Sequence, residues 1–151
     1  MALRRATLAD AKTIRDITRA AYEKWVPLIG REPKPMTINY DKAVIDHRID
    51  LYESDGEAIA LIEVVLHEQH LLIENIAVLP ERQGEGIGDM LLNHCENIAR
   101  SLHLVELRLY TNAAFVSNIE YYKRHEFHEF AREPLASGGE IVYMKKMIEP
   151  A

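Results

Sequence analysis

Residues 83–88 read Gln83-Gly84-Glu85-Gly86-Ile87-Gly88, placing three glycines in five positions of a chain that holds only seven. They lie between an apolar run closed by Leu79-Pro80 and a helical repeat opening at Ile87, so bare backbone falls at a helix N-terminus. First-turn N–H groups lack intrahelical acceptors there, and the helix dipole adds positive potential. The chemistry is anion binding, and without a Cβ in the way several amides can converge on one phosphate. Two nucleotide motifs fail on spacing. The dinucleotide fingerprint needs a third glycine where Asp89 stands, and the P-loop needs a Gly-Lys-Ser/Thr that is absent. Farther on, Asn118 and Tyr122 are four residues apart, so an amide and a phenol share one helix face, while Tyr121 points elsewhere as packing. Glu74 is a carboxylate inside the apolar run Leu71-Leu72-Ile73-Glu74-Asn75-Ile76. Burial would raise its pKa toward a range useful to a general base, unless an Arg or Lys pairs with it. Glu63 has a weaker claim by the same argument.

Other reactive residue types offer less. His67 and His70 flank Glu68-Gln69 at a turn without the four-residue helical spacing of a zinc site, and the remaining histidines have no partner motif. No metal site is expected. Cys95 is the only cysteine, which excludes an intramolecular disulfide and a multi-thiolate site, and its place on an apolar helix face marks it as a small core residue rather than a nucleophile.

These residues need elements to hold them. A short strand at residues 3–6 leads into Thr7-Leu8-Ala9-Asp10, a capping box with Asp in the usual Glu or Gln position. Ile14, Ile17, Ala21 and Trp25 then repeat at helical spacing up to Pro27, which should stop the helix. Residues 27–36 hold three prolines and read as a stiff loop. A second short helix is expected over 41–47, a strand over 50–53, and a hairpin turn at Ser54-Asp55-Gly56-Glu57. Residues 58–67 and 70–79 are nearly continuous in apolar character, as expected for central strands covered on both faces. A helix over 87–102, a strand over 105–111, a helix over 115–125 and strands over 127–131 and 141–147 complete the order. That order gives helices around a mixed sheet of six or seven strands, an α/β (α+β) architecture with about four helices. Loops after Leu79 and Thr111 leave the carboxyl ends of parallel neighbours, where ligands of such sheets lie.

At 151 residues and 48% hydrophobic, the chain fits a single domain over 1–151. Lys plus Arg total 18 against 24 Asp plus Glu, a net charge of -6, which argues against nucleic acid as a partner. No apolar run approaches the about 20 residues of a membrane span, and residues 1–12 carry no export-signal pattern, so a cytoplasmic location away from membranes is expected.

The run Ala77-Val78-Leu79-Pro80, Gln83, Gly86, Gly88 and Met90-Leu91-Leu92 resembles the acyl-CoA loop of the GNAT superfamily of N-acetyltransferases. Tyr110-Thr111-Asn112, Asn118 and Tyr122-Lys123-Arg124-His125-Glu126-Phe127 resemble the downstream block of these enzymes, and the element order agrees over essentially the whole chain. Tyr22, Trp25-Val26-Pro27, Gly30, Pro33, Pro35-Met36 and Tyr40 look like the N-terminal signature of a bacterial subgroup. One position departs: Glu126 stands where a glycine is expected, implying a strained or reshaped helix end.

The resemblance implies a GNAT-like acyl-CoA N-acyltransferase fold and acetyl-CoA as cosubstrate, with no metal. It implies that the amides of Gln83, Gly84, Glu85, Gly86, Ile87 and Gly88 hold the pyrophosphate, and that backbone groups of Ile76, Ala77 and Val78 pair with pantetheine. Tyr122 would protonate the departing sulfur and Asn118 would orient the CoA arm, while the amine's proton would pass to Glu74 or to a water chain. Trp25, Met36, Tyr40 and Asn112 would line the acceptor side. The expected acceptor is a primary amine of a small molecule or peptide, attacking directly, with its identity open, and the same likeness allows a homodimer. The rival readings are a transferase for another acyl-CoA or acceptor, and a CoA-binding or CoA-sensing module without catalysis.

Overall fold

The computed structural model describes residues 2–150. Seven strands, β1 (Ala2–Arg5), β2 (Arg48–Ser54), β3 (Glu57–Leu66), β4 (Leu71–Val78), β5 (Glu106–Asn112), β6 (His128–Pro134) and β7 (Glu140–Met147), form one mixed sheet in the order β1-β2-β3-β4-β5-β7-β6. Four helices of seven residues or more accompany them: α1 (Ala11–Tyr22), α3 (Tyr40–Asp46), α4 (Ile87–Ser101) and α5 (Val116–Arg124). A single turn, α2 (Val26–Ile29), lies between the first two. The fold class expected from the sequence is the one observed. The chain divides into two compact units, one running up to Val65 and joined by Glu74–His94, the other made of Leu66–Ile73 and the chain from Cys95 onward.

The first unit starts with the expected capping box. The Asp10 carboxylate accepts the Thr7 N–H at 2.8 Å, and hydrogen bonding to the Arg4 guanidinium holds it down at about 2. The apolar stripe of α1 then buries Ile14, Ile17 and Ala21 with Tyr40, Leu51, Leu61 and Ala77 in one core cluster. Ile14 is fully buried, worth roughly 2 kcal/mol by transfer from water. The β2–β3 hairpin turns at Asp55-Gly56, both at positive φ, as the sequence anticipates.

Three expectations need correction. Pro27 does not end helical structure: α1 stops at Tyr22, a 3-10 turn covers Glu23–Trp25, and Pro27 sits inside the first turn of α2. A proline fits there because its missing N–H has no intrahelical acceptor to lose. Gly30 ends that turn at φ 73. β4 is not covered equally on both faces; its residues alternate between buried and half-buried. Leu102 and Val105 lie outside α4 and β5 and are exposed.

In the second unit β5, β7 and β6 pair antiparallel, with Leu107, Leu109, Val142 and Met144 buried. α5 buries Ile119 and Tyr122. It ends in a Schellman motif, in which the Phe127 N–H donates to the Tyr122 carbonyl at 3.0 Å and the Glu126 N–H to that of Lys123 at 3.0 Å. The accompanying apolar contact is Phe127 against Tyr122, with ring centroids 5.8 Å apart. The motif needs a left-handed residue, and Glu126 supplies it at φ 70. The helix end is therefore strained but not reshaped.

Glu126→Gly should raise the unfolding free energy by about 1 kcal/mol, the relief of left-handed strain less glycine's larger unfolded-state entropy. Urea denaturation checks this, and an unchanged or lower midpoint contradicts it.

Candidate active site

In the first unit, the turn between β4 and α4 carries the glycines. Gly84 and Gly86 adopt φ 83 and 81, a region most side chains avoid. Nothing lies within 4 Å of where a Cβ would project from either, so the backbone there is bare on that side. Ile87 is buried and opens α4, placing the amides of residues 86–88 at the helix N-terminus. Gln83 donates from Nε2 to the Val78 carbonyl at 3.1 Å, tying the turn back to the end of β4. Arg82 and Glu85 form an ion pair at 3.1 Å that offsets the acidic charge beside the loop. Such a turn fits a pyrophosphate: converging amides, positive helix potential and no side chain in the approach.

The first half of α4 is fixed from below. Asp50 is buried on β2, accepts from Arg48 and lies 2.7 Å from His94 Nε2, so one carboxylate secures the helix that presents the turn. Neither histidine nor aspartate was marked by any motif.

β4 provides the next element. Its parallel ladder to β5 joins Leu71, Leu72 and Ile73 to Leu107, Arg108 and Leu109, and ends there. Glu74–Val78 forms the outer edge of the first unit's sheet beyond β3. An edge strand offers main-chain groups to an extended ligand, and Ile76, Ala77 and Val78 lie on it.

Behind that edge is a buried polar group the sequence reading did not single out. Asn75 is 3% exposed. Its Nδ2 donates to Thr18 Oγ1 at 3.1 Å and to the Tyr40 hydroxyl oxygen at 3.4 Å, and its Oδ1 accepts from the Tyr22 hydroxyl at 3.0 Å. Tyr40 in turn donates to the Pro35 carbonyl at 2.7 Å, and Arg19 donates to that of Met36 at 3.0 Å. The stiff segment 33–37 is thereby fastened over β4. Burial, then the charge of Glu63, pushes the Tyr40 phenol up. The cost argument applied to Glu74, that a polar group in an apolar strand must be paired, would also find Asn75.

The carboxylates differ. Glu74 is half-buried and lies 3.7 Å from Lys34 Nζ, the ion-paired alternative considered from the sequence. Glu63 is 2% exposed, with Oε2 2.6 Å from His47 Nδ1. Burial raises its pKa, and hydrogen bonding to His47 offsets part of that rise. Trp25 is half-buried with Lys24 Nζ 5.1 Å over its ring. Met36 is buried at a cleft of about 620 Å³ whose other walls include Arg19, Glu23, Val26, Pro27 and Glu32.

The second unit holds Asn112, Asn118 and Tyr122. Asn112 accepts the Ala114 N–H through Oδ1 at 2.9 Å, capping the segment before α5. Asn118 is half-buried one turn before Tyr122 on α5. The Tyr122 ring is buried against Phe127 and Tyr121. Burial first, and then the Cys95 thiol, raises the phenol's pKa and keeps its proton in place.

A bare, left-handed glycine turn leading from a sheet-edge strand into a helix is the arrangement expected of an acyl-CoA site, and the acetyltransferase (GNAT) family model matches residues 12–127. The chain belongs to this family. Among solved structures, this GNAT acetyltransferase is similar to a GNAT-family protein from Desulfovibrio desulfuricans, with TM-score 0.81 and 17% identity over 98% of this chain and 99% of the other. It is also similar to the ribosomal-protein-S18-alanine N-acetyltransferase from Escherichia coli, at 0.74 and 19% over 99% and 95%. A GNAT family acetyltransferase from Elizabethkingia anophelis, solved with acetyl-CoA bound, matches at 0.74 and 17% over 97% of each chain. At these identities the likeness is one of fold. No curated protein matches the chain. Among the described residues no helix is long and apolar enough to cross a membrane, and no group of three or more His, Cys, Asp or Glu side chains is placed to hold a metal ion.

Two measurements test the polar interior. Asn75→Leu removes the hydrogen bonds to Thr18, Tyr22 and Tyr40 and should destabilise by about 2–4 kcal/mol in urea unfolding, against under 1 if the network is slack. Glu63 has a folded pKa above its ordinary 4.5, so the folded state keeps a proton that the unfolded chain has lost, and this contribution to stability falls as pH rises through that window. Glu63→Gln should therefore gain stability relative to wild type from pH 4.5 toward neutrality. Parallel stability curves would contradict it.

Proposed function

We propose that the chain acts as one GNAT domain transferring an acetyl group from acetyl-CoA to a primary amine of a small molecule or peptide, by direct attack and without an acyl-enzyme. The observation that carries this reading is the bare turn at Gly84 and Gly86, tied by Gln83 to the end of a strand whose last residues form a sheet edge. Acetyl-CoA, when bound, supplies the thioester.

The chain's own groups do the rest. Amides of Gln83, Gly84, Glu85, Gly86, Ile87 and Gly88 hold the pyrophosphate. Main-chain groups of Ile76, Ala77 and Val78 pair with the pantetheine arm and polarise the acyl carbonyl, an electrostatic role that rigid backbone fills without reorganisation. Asn118 orients the arm. Glu74 takes the proton of the attacking ammonium, which at an ordinary pKa near ~10.4 is nearly all charged at neutral pH. Trp25, Met36, Tyr40 and Asn112 shape the acceptor side, and the carboxylates of Glu63 and Glu74 favour a cationic acceptor.

Tyr122 hydrogen-bonds the departing sulfur and gives it a proton. The surroundings that raise the phenol's pKa also raise that of a thiolate beside it, so the transfer is less uphill than the two groups' values in water suggest.

Acetyl-CoA turnover with a panel of amines, followed as free thiol, tests the reading. Tyr122→Phe should lower kcat by about a hundredfold with CoA affinity unchanged. Gly86→Val, with a side chain forced into a left-handed position across the phosphate approach, should weaken CoA binding at least ~tenfold by calorimetry. Retained affinity in Gly86→Val, or binding of acetyl-CoA with no amine turned over, counts against the proposal.

A further inference from the structure

The segment 33–37 fixes one lysine in an unusual place. Its backbone is held on both sides: the Met36 N–H donates to the Pro33 carbonyl at 2.9 Å, the Thr37 hydroxyl to that of Lys34 at 2.7 Å, and the Tyr40 hydroxyl to that of Pro35 at 2.7 Å. Pro33 and Pro35 on either side of Lys34 restrict it further. From this mount Lys34 Nζ reaches to 3.7 Å from Glu74 Oε1, forty residues away in sequence and two residues before Ile76 on the β4 edge. Its charge also acts on the buried Glu63 carboxylate. Lys12 and Lys42, by contrast, pair with Asp16 and Asp46 one turn along their own helices, and Lys146 pairs with Glu96. The Lys34 side chain is 60% exposed and its contact with Glu74 is longer than a strong hydrogen bond.

We infer that Lys34 is an acceptor presented by the protein to its own acetyl-transfer site, its Nζ lying against Glu74 where the ammonium of a free alkylamine of the lysine type is taken, and that it is acetylated in cis when no such amine is bound. The inference rests on the N-acetyl-transfer reading above. In the step, Glu74 accepts a proton from the Lys34 ammonium, and the nitrogen lone pair forms a bond to the acetyl carbon. The carbon–sulfur bond breaks with its electron pair on sulfur, Tyr122 protonates that sulfur, and the second proton leaving the nitrogen restores Tyr122. One acetyl-CoA yields one CoA thiol and one acetyl-Lys34, with one proton released to solvent as Glu74 and Tyr122 return to their starting states. Acetylation removes the Lys34 charge and so dissolves its pairing with Glu74.

The test needs only the purified full chain and acetyl-CoA. Intact mass and peptide mapping should show one acetyl group on Lys34, appearing with a first-order rate constant independent of protein concentration. Lys34→Arg should abolish that addition, Glu74→Gln should slow it at least ~tenfold, and added ethylamine should suppress it while being acetylated itself. Heat-denatured protein and Lys42 of the native protein report background chemistry. Lys34 unmodified while amines of the panel are turned over overturns the inference and leaves the functional reading intact. Lys34 unmodified with no amine turned over defeats both. Acetylation no faster than at Lys42, or at a rate rising with protein concentration, also overturns it.

Discussion

A primary amide buried in a β-strand has to be satisfied by whatever packs on the strand, and the arrangement of the first unit follows from how Asn75 meets that demand. Its carbonyl oxygen and its N–H groups are met by Tyr22 at the end of α1, Thr18 one turn earlier, and Tyr40 at the start of α3. Those partners must converge on one point of β4, so the chain between Tyr22 and Tyr40 has to leave and return over the same strand. Its shape is then closed by Tyr40 on the Pro35 carbonyl and Arg19 on that of Met36. Burying such a group unpaired costs about 1–3 kcal/mol, as much as a well-packed aliphatic side chain gives back. The proline-rich segment is therefore shaped by three hydroxyls and one amide as much as by its own stiff backbone.

The glycine turn depends on a different kind of constraint. Gly84 and Gly86 are needed for backbone conformation, not for room, since a Cβ at either would meet no atom of the protein. The empty side matters only to something that approaches from outside, which is why the turn can serve an anion while contributing little to packing. Its direction is set elsewhere, by Gln83 on the Val78 carbonyl and by the buried Asp50 that holds His94 about two turns into α4.

What could be read in advance divides along the same line. Periodicity and turn chemistry are local, so the seven strands, the capping box at Thr7 and Asp10 and the Asp55-Gly56 turn were legible from neighbours in sequence. The glycine turn was legible because its chemistry resides in the backbone of six consecutive residues. Pro27 was misread because a proline that forbids a helix interior is welcome in a first turn, and only the break after Tyr22 decides which applies. The pairs Asn75 with Thr18, Glu63 with His47 and Asp50 with His94 join residues far apart in the chain, and no spacing rule announces them. Glu126 was legible as an anomaly, but not its outcome: the Schellman hydrogen bonds and the Phe127 contact on Tyr122 together outweigh the left-handed strain.

The two β-sheet carboxylates show how neighbouring positions acquire separate chemistry. Glu63 has lost nearly all contact with water, which pushes its pKa up, and hydrogen bonding to His47 offsets part of that rise, so its protonation is bound to that imidazole. Glu74 keeps part of its surface in solvent and faces a lysine at a distance too long for a strong hydrogen bond. Around Lys34 two carboxylates therefore act on one cation, and one of the two is shared with His47. On the proposed function, a cationic amine in place of that lysine keeps both attractions, whereas a neutral or anionic acceptor loses them.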